Sequence, residues 1–294
     1  MDSRNVMENI LFYYFTPIKD VQEMRERLYE QCVSLGLKGT ILLAKEGING
    51  CLSGTVQSTE SFMKFVKSDV HFPHIVFKRT YADSHTFKRL VVRVKNEIIR
   101  LDRPDLGASS AAPYVTPHEL KELLDNDEVI MVDMRNDYEA RIGKFKNAVV
   151  TSMETFRELP AKISELHDLK NVKDKKIVTY CTGGIRCEKA TALLREHGFD
   201  NVYQLEGGII EYCKACGNAH WEGKCFVFDS RLAIDIDPEN PNEPTTIKEM
   251  LKQAILTDEF DFMKSAITNY KGYILSQDDP ELHALYEQAC EKVS

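Results

Sequence analysis

The first hundred residues alternate short apolar runs with patterns in which apolar side chains recur three and four positions apart. Short apolar runs predict strands, and the wider spacing predicts helices with one buried face. In chain order the predicted elements are a strand at 10–15, a helix at 20–35, strands at 39–44 and 51–54, a helix at 58–68, and strands at 75–81 and 90–94. With a hairpin turn at 45–50, this order indicates a ferredoxin-like α+β domain.

Beyond residue 113, buried strands alternate with helices. Thr116 followed by Pro117 is typical of a helix start and predicts a helix at 117–124. Further strands are predicted at 129–132, 148–150, 176–180 and 202–205, and a further helix at 188–197. This alternation predicts a parallel sheet with helices on both faces, in which ligands bind beyond the carboxyl ends of the strands. Asp133 and Cys181 both fall at such an end.

Cys181 stands between a predicted buried strand and a predicted helix, at the start of the sequence Cys-Thr-Gly-Gly-Ile-Arg. Loop N–H groups, the helix N-terminus and the Arg186 guanidinium all favour the thiolate, which is the nucleophilic form of cysteine. A cysteine after a buried strand is more often inert, but an inert cysteine needs no anion-binding loop. We therefore predict that Cys181 is the catalytic nucleophile and that Arg186 stabilises the anion. The active-site loop between them consists of Thr182, Gly183, Gly184 and Ile185.

Length and composition indicate the number of domains and the compartment in which this chemistry takes place. The chain has 294 residues, which suggests two domains, and it has no apolar run as long as a membrane span. Residues 1–9 are polar and precede no signal-peptide core, so we predict a cytoplasmic protein. Eight cysteines then fit free thiols, a redox pair or a metal site better than a disulfide framework. Cys187 is a candidate resolving thiol for Cys181. An equal alternative is that Cys187 is simply buried in the helix and has no such role.

Basic residues are concentrated between positions 75 and 103, although the net charge of the whole chain is −8. Aromatic side chains are interleaved with them, a pattern that suits contacts to phosphates and unpaired bases. The alternative is a solvated strand face. The candidate nucleic-acid-binding residues are Lys78, Arg79, Lys88, Arg89 and Arg93.

The sequence identifies no metal or organic cofactor. Candidate zinc ligands are Cys213, Cys216, His220 and Cys225. A second paired cysteine motif is missing, so we predict no metal there. The chain also has no dinucleotide-binding fingerprint and no convincing set of two histidines and one carboxylate.

The second half of the chain resembles a rhodanese domain over roughly residues 114–229. The similarity is carried by residues 132–135, Glu139, Gly143, 181–186 and 203–208. The loop from Cys181 to Arg186 has the six-residue length of sulfur-handling members, and the resemblance implies a persulfide at Cys181. In this fold Asp133 and Arg135 are usually architectural, so we expect them to tie the strand end to a neighbouring loop.

A closer resemblance covers about residues 10–231. The matching segments are 38–50, 135–139, 181–190 and 221–229. They are similar to the rhodanese-domain tRNA uridine hydroxylases. This resemblance implies hydroxylation of carbon 5 of the wobble uridine, with tRNA as the partner and molecular oxygen as co-substrate. Two alternatives stay open: a sulfurtransferase that passes persulfide sulfur to an acceptor, and a rhodanese module that binds or regulates a partner without catalysis.

Together, these patterns and resemblances predict that the chain is divided into four segments. Residues 1–104 form the ferredoxin-like, acylphosphatase-like domain with the candidate tRNA-binding residues, and residues 105–113, which are rich in small side chains, form a linker. Residues 114–231 form the rhodanese-like catalytic domain. Residues 232–294 form a helical extension, with helices at 247–256, 260–275 and 280–292. The sequence leaves the role of this extension and the oligomeric state open.

Overall fold

The computed structural model describes residues 6–172, 175–231, 233–234, 244–245, 247–257, 263, 267, 274–275 and 279–293. The first domain is a five-stranded sheet with two helices on one face. Its elements are β1 (Met7–Phe15), α1 (Val21–Ser34), β2 (Lys38–Ala44), β3 (Gly47–Thr55), α2 (Val56–Lys67), β4 (Val76–Ala82) and β5 (Leu90–Val94). The strand order β4-β1-β3-β2-β5 confirms the ferredoxin-like prediction, and the last predicted strand, β5, runs parallel to β2 at the edge.

The hairpin between β2 and β3 is tighter than predicted. Ala44 pairs with Gly47, so the turn contains only Lys45 and Glu46, and the return strand begins four residues earlier than position 51. Gly47 has φ +146°, and a Cβ there would lie 2.1 Å from the carbonyl oxygen of Tyr14. The glycine therefore lets β3 start immediately after the turn.

Side chains alternate between the two faces of this sheet, as strand geometry requires. In β1, Ile10 and Phe12 are fully buried in the core of the first domain. Leu11 and Tyr13 lie on the opposite face, where they approach Gly183 and Gly184 of the second domain. One face of the sheet thus carries its own helices, and the other meets the Cys181 loop.

The second domain contains a five-stranded, fully parallel sheet, in the order β6-β11-β10-β7-β9. Its strands and the neighbouring β8 are β6 (Tyr114–Val115), β7 (Val129–Asp133), β8 (Gly143–Phe145), β9 (Val149–Val150), β10 (Lys176–Tyr180) and β11 (Val202–Leu205). The α-helices are α3 (Pro117–Asp125), α4 (Asp137–Ile142), α5 (Leu159–Lys162), α6 (Ile185–Glu196) and α7 (Gly208–Cys216). The predicted parallel α/β architecture is confirmed, including the capping box that Thr116 and Glu119 form at the start of α3.

In the described part of the chain, short strands and two helices follow the parallel sheet. They are β12 (Trp221–Gly223), β13 (Cys225–Phe226), β14 (Ala233–Ile234), β15 (Pro244–Thr245), α8 (Ile247–Thr257) and α9 (Pro280–Val293). Helices α8 and α9 correspond to two of the predicted helices, and the third, at 260–275, lies mostly outside the described residues. Leu251 and Leu282 of these helices share an apolar cluster with Tyr138 and Ile142 of α4. The extension therefore packs against the helix beside the active-site loop.

The stretch that we expected to be a linker, 105–113, is packed rather than open. Leu106 and Ala112 are buried in the core of the second domain, together with Leu101. Among the residues that the structure describes, 3-10 helices occur at Ala108–Ser110, Phe156–Glu158 and Ile163–Asn171. Across the part of the chain that the structure describes, no helix combines the length and apolarity needed to cross a membrane.

Buried polar contacts hold the two domains together. The Lys189 ammonium, on α6, is fully buried and lies 2.6 Å from Glu97 Oε2 and 2.8 Å from Glu46 Oε2. One residue earlier, Glu188 accepts a hydrogen bond of 2.9 Å from the Tyr13 hydroxyl. Tyr13, Glu46 and Glu97 come from the first domain, so the helix that begins in the active-site loop also fixes that domain over the loop.

Candidate active site

The Cys181 loop joins the end of β10 to the start of α6. Gly184 has φ +100°, and its N–H donates a hydrogen bond of 3.1 Å to Cys181 Sγ. A Cβ at Gly184 would lie 3.0 Å from the Tyr13 hydroxyl oxygen. Glycine is therefore needed for the backbone conformation and for the close approach of the first domain.

The Gly207-Gly208 pair supports this loop from behind. Gly208 has φ +69°, and a Cβ there would lie 2.5 Å from the carbonyl oxygen of Cys181. The N–H groups of Ile209 and Ile210 donate to the carbonyl oxygens of Cys181 and Thr182, at 3.1 and 3.2 Å. The first turn of α7 thus holds the loop by its carbonyl groups and leaves the loop N–H groups directed at the sulfur.

The surroundings of Cys181 favour its thiolate. Burial by itself raises the pKa of this thiol, but hydrogen bonds from Cys187 and from the N–H groups of Arg186 and Gly184, with the charge of Arg186, lower the pKa well below its ordinary value. Burial, and then the neighbouring Cys181 sulfur, raise the pKa of Cys187. The structure therefore brings the two predicted cysteines together, one as a thiolate and the other as a thiol.

Arg186 is paired with a residue that we had not predicted to be functional. Its Nη1 and Nη2 lie 2.5 and 2.8 Å from the two carboxylate oxygens of Glu139, which is fully buried. The hydrogen bonds that the structure gives to the guanidinium are thus directed at Glu139, and Arg186 acts on Cys181 through its positive charge. Glu139 lies in the rhodanese-like motif, but its partner is 47 residues away in the chain, so sequence spacing gave no sign of the pairing.

A cavity of about 370 Å³ lies between the Cys181 loop and the helix-free face of the first-domain sheet. Cys181 lines it, together with the aromatic side chains of Tyr13, Phe87, Phe156 and Phe228. Asn49 adds a polar group whose orientation is fixed by a 2.9 Å hydrogen bond from Nδ2 to the Ile98 carbonyl. Because both domains supply walls, the reactive sulfur faces a cavity that neither domain forms alone.

Two of the candidate basic residues, both on β4, contact other parts of the protein. Lys78, on β4, is buried at the domain interface, with its Nζ 5.1 Å from the centre of the Tyr13 ring. Burial lowers the pKa of Lys78. Arg79 points to the helix-bearing face and lies 3.4 Å from Glu8. Strand alternation thus directs the Lys78 side chain into the interface and not onto an exposed strand face, and its contact with tRNA stays a prediction.

The other three candidate basic residues lie near the opposite edge of the sheet. Lys88, Arg89 and Arg93 are exposed, in β5 or just before it. Lys88 and Arg89 directly follow Phe87, which lines the cavity. Arg93 is one position from the core residue Val92 and so lies on the face that meets the second domain. Arg93 therefore lies on the cavity side of the first domain, and Lys88 and Arg89 are next in sequence to a residue that lines the cavity.

Asp133 and Arg135 have the architectural role that we predicted. Arg135 is fully buried, and its Nε and Nη2 donate to the Asp133 carboxylate at 2.9 and 2.6 Å. Its Nη2 also donates to the Gly143 carbonyl at 2.6 Å, and the Tyr180 hydroxyl donates to Asp133 at 2.7 Å. This network joins the ends of β7, β8 and β10 beneath the active-site loop.

The four residues considered as zinc ligands have other neighbours. They are Cys213, Cys216, His220 and Cys225. The Cys216 thiol donates to the Pro117 carbonyl at 3.4 Å, and His220 Nε2 lies 2.6 Å from Asp125. Burial raises the pKa of Cys225 to about 12. Within the described ranges, no group of three or more His, Cys, Asp or Glu side chains is arranged to hold a metal ion.

Comparison with known proteins covers both domains. A family model described as the UPF0176 acylphosphatase like domain matches residues 7–98, and one described as the Rhodanese-like domain matches residues 116–215. The chain is 44% identical to the tRNA uridine(34) hydroxylase of Cytophaga hutchinsonii, over 79% of this chain and 74% of that protein. It is 43% identical to that of Onion yellows phytoplasma, over 78% and 75%. It is 40% identical to that of Legionella pneumophila, over 81% and 94%. At this identity and coverage, the chain belongs to the tRNA uridine(34) hydroxylase family.

Proposed function

We propose that this protein hydroxylates carbon 5 of the wobble uridine of tRNA, with Cys181 as the nucleophile and molecular oxygen as co-substrate. The observation that carries the proposal is the cavity of about 370 Å³ between the two domains, with the Cys181 sulfur in its wall. This volume falls in the range of about 300–1,000 Å³ that is usual for small-ligand sites. The related proteins named tRNA uridine(34) hydroxylase supply the substrate class.

The lining of the cavity suits a base that has turned out of the anticodon loop. Tyr13 and Phe228 offer aromatic faces for stacking, which is worth about 1–3 kcal/mol per base. The wobble base is unpaired in free tRNA, so turning it into a pocket costs less than removing a base from a duplex. The Asn49 amide, held by the Ile98 carbonyl, supplies a fixed polar group toward the edge of the base.

The chemistry starts from the Cys181 thiolate. It adds to carbon 6 of the uracil ring, and the displaced electron pair makes carbon 5 electron-rich and able to bond to oxygen. Arg186 and the N–H of Gly184 keep the sulfur anionic before attack, in a site from which water is largely excluded. Cytoplasmic tRNA is the proposed substrate pool.

Replacing Arg89 by alanine is expected to weaken tRNA binding and to reduce the slope of log affinity against log salt concentration by about 1. The reason is the loss of one phosphate contact beside the cavity. Binding is measured at several salt concentrations with unmodified tRNA. Lys64→Ala is the matched control, because Lys64 is exposed on α2 at the opposite face of the sheet. Equal slopes for the two variants would place the tRNA elsewhere.

Cys181→Ser is expected to abolish the modification, since an alcohol is far less nucleophilic than a thiolate at neutral pH. Transfer RNA is taken from cells that lack the protein and carry either the wild type or the variant, and its nucleosides are identified by mass spectrometry. The hydroxylated uridine, or an alkoxy derivative of it, should return with the wild type alone. An unchanged nucleoside profile in all strains contradicts the proposed function, and turnover of thiosulfate without RNA would then identify a sulfurtransferase.

A further inference from the structure

Hydroxylation by molecular oxygen needs two electrons that uridine does not supply. One oxygen atom goes to carbon 5, and the other must leave as water. We propose that Cys181 and Cys187 together supply these two electrons, so that each turnover leaves a disulfide between them. The inference rests on the proposed function and adds to it the source of electrons and a catalytic role for Cys187.

The two sulfurs are already neighbours in the resting protein. The chain reverses at Gly184, and the Cys187 N–H donates to the Gly184 carbonyl at 3.0 Å, which brings Cys187 back toward the start of the loop. Both cysteines are free, and both are buried in the same apolar cluster. The Cys187 sulfur therefore lies next to the reactive sulfur at the start of α6, within range to interact with it.

The two cysteines differ in their access to the cavity, and this difference gives them different roles. Cys181 lines the cavity, whereas Cys187 is fully buried in α6 and is not among the lining residues. Cys51 also lines the cavity, but it lies on β3, in the other domain. An oxidised substrate can thus meet the Cys181 sulfur directly, and Cys187 can react only with Cys181.

The proposed sequence balances atoms and electrons. Oxygen joins carbon 5, and the resulting peroxide anion takes a proton to become a hydroperoxide. Carbon 5 then loses its own proton, and Cys181 leaves carbon 6 as a thiolate while the ring double bond re-forms. The Cys181 sulfur then attacks the outer peroxide oxygen: a sulfur–oxygen bond forms, the oxygen–oxygen bond breaks, and the oxygen left on carbon 5 takes a proton to become the hydroxyl. Cys187 next attacks the Cys181 sulfenic acid, and the hydroxide that leaves takes the Cys187 proton to give water. The sum is uridine, one oxygen molecule and two thiols giving hydroxyuridine, one disulfide and one water.

A thiol of the reducing cytoplasm must then reduce the disulfide, so the enzyme uses an external thiol as its final electron donor. Without such a donor, the protein can react once. The stoichiometry of a single turnover therefore separates this route from one in which electrons arrive from another source during catalysis.

The test uses the full-length protein, reduced with a small thiol that is then removed under nitrogen. Transfer RNA from cells lacking the protein is added, followed by air-saturated buffer. The wild type should form one hydroxylated uridine per active protein and a Cys181–Cys187 disulfide, located by peptide mass spectrometry. Cys187→Ser keeps a hydrogen-bond donor beside Cys181; it should also give one product, but with Cys181 as a sulfenic acid that dimedone traps. Cys216→Ser, a half-buried cysteine away from the cavity, should behave as the wild type.

Three results overturn the inference while the proposed function stands: no product until an external donor is added, product with both thiols still free, or a disulfide from Cys181 to Cys51. Trapping no sulfenic acid in Cys187→Ser, despite product formation, also overturns it. If no hydroxylated uridine forms even with excess external thiol, the proposed function itself fails.

Discussion

Replacing Lys189 by methionine is expected to lower the free energy of unfolding at neutral pH by about 3–5 kcal/mol, the usual cost of removing one partner from a buried ion pair. The Lys189 ammonium is fully buried between the carboxylates of Glu46 and Glu97. Methionine occupies a similar volume but leaves both carboxylates without their cation. The loss is measured as a lower midpoint of chemical denaturation, followed by circular dichroism.

This loss should become smaller at mildly acidic pH. Burial raises the pKa of Glu46 above its ordinary value, and hydrogen bonds from Lys189 and from the Ile98 N–H oppose the rise. Methionine removes the opposing effect of Lys189. A carboxyl whose pKa is higher in the folded state than in the unfolded state binds its proton preferentially when folded, so falling pH stabilises the fold through that group. The difference between variant and wild type is therefore largest at neutral pH.

Lys121→Met is the matched control for this variant. Lys121 is exposed and pairs with Asp125 at 2.6 Å, one turn along α3. Exposed helical pairs of this kind contribute little to stability, because solvent screens the attraction between the charges. If Lys189→Met is no less stable than Lys121→Met, the ion pair between the domains does not hold them together as we infer.

The parts of the fold that follow from local pattern were predictable. The strand at Lys176–Tyr180 is an apolar run because both faces of a central parallel strand are buried, and the loop after it carries its chemistry in consecutive residues. The capping residues before α3 fix its start by contacts within four positions. In each case the interaction that determines the structure lies within a few residues of the segment itself.

The parts that depend on contacts between the domains were not predictable in this way. Lys78 belongs to a basic stretch of sequence, yet the pairing of β4 with β1 places it against Tyr13. Glu188 and Lys189 look like surface charges on a helix, but both are buried because their partners are supplied by the first domain or by distant strands. The cavity has the same origin, since its aromatic walls come from segments far apart in the chain.

Replacing Arg186 by methionine is expected to have two separable effects. Glu139 stays fully buried without its cation, which should cost about 3–5 kcal/mol of stability. The pKa of Cys181 should rise, because the guanidinium charge lowers it in the wild type. Since only the thiolate reacts, alkylation of Cys181 at a fixed pH below neutrality should slow, and the pH profile of alkylation should move to higher pH.

The double variant Glu139→Gln with Arg186→Met separates these effects. It leaves neither charge buried alone, so most of the lost stability should return, because replacing both members of a buried pair is often nearly neutral. The guanidinium is still absent, so the alkylation profile should stay at the higher pH. Alkylation is followed by mass spectrometry of the Cys181 peptide, and stability by chemical denaturation. If the single variant has the same pH profile of alkylation as the wild type, Arg186 does not control the pKa of Cys181. A double variant as unstable as the single one would show that the unpaired Glu139 carboxylate does not cause the loss of stability. The pair of Arg186 and Glu139 would then act only by positioning the loop.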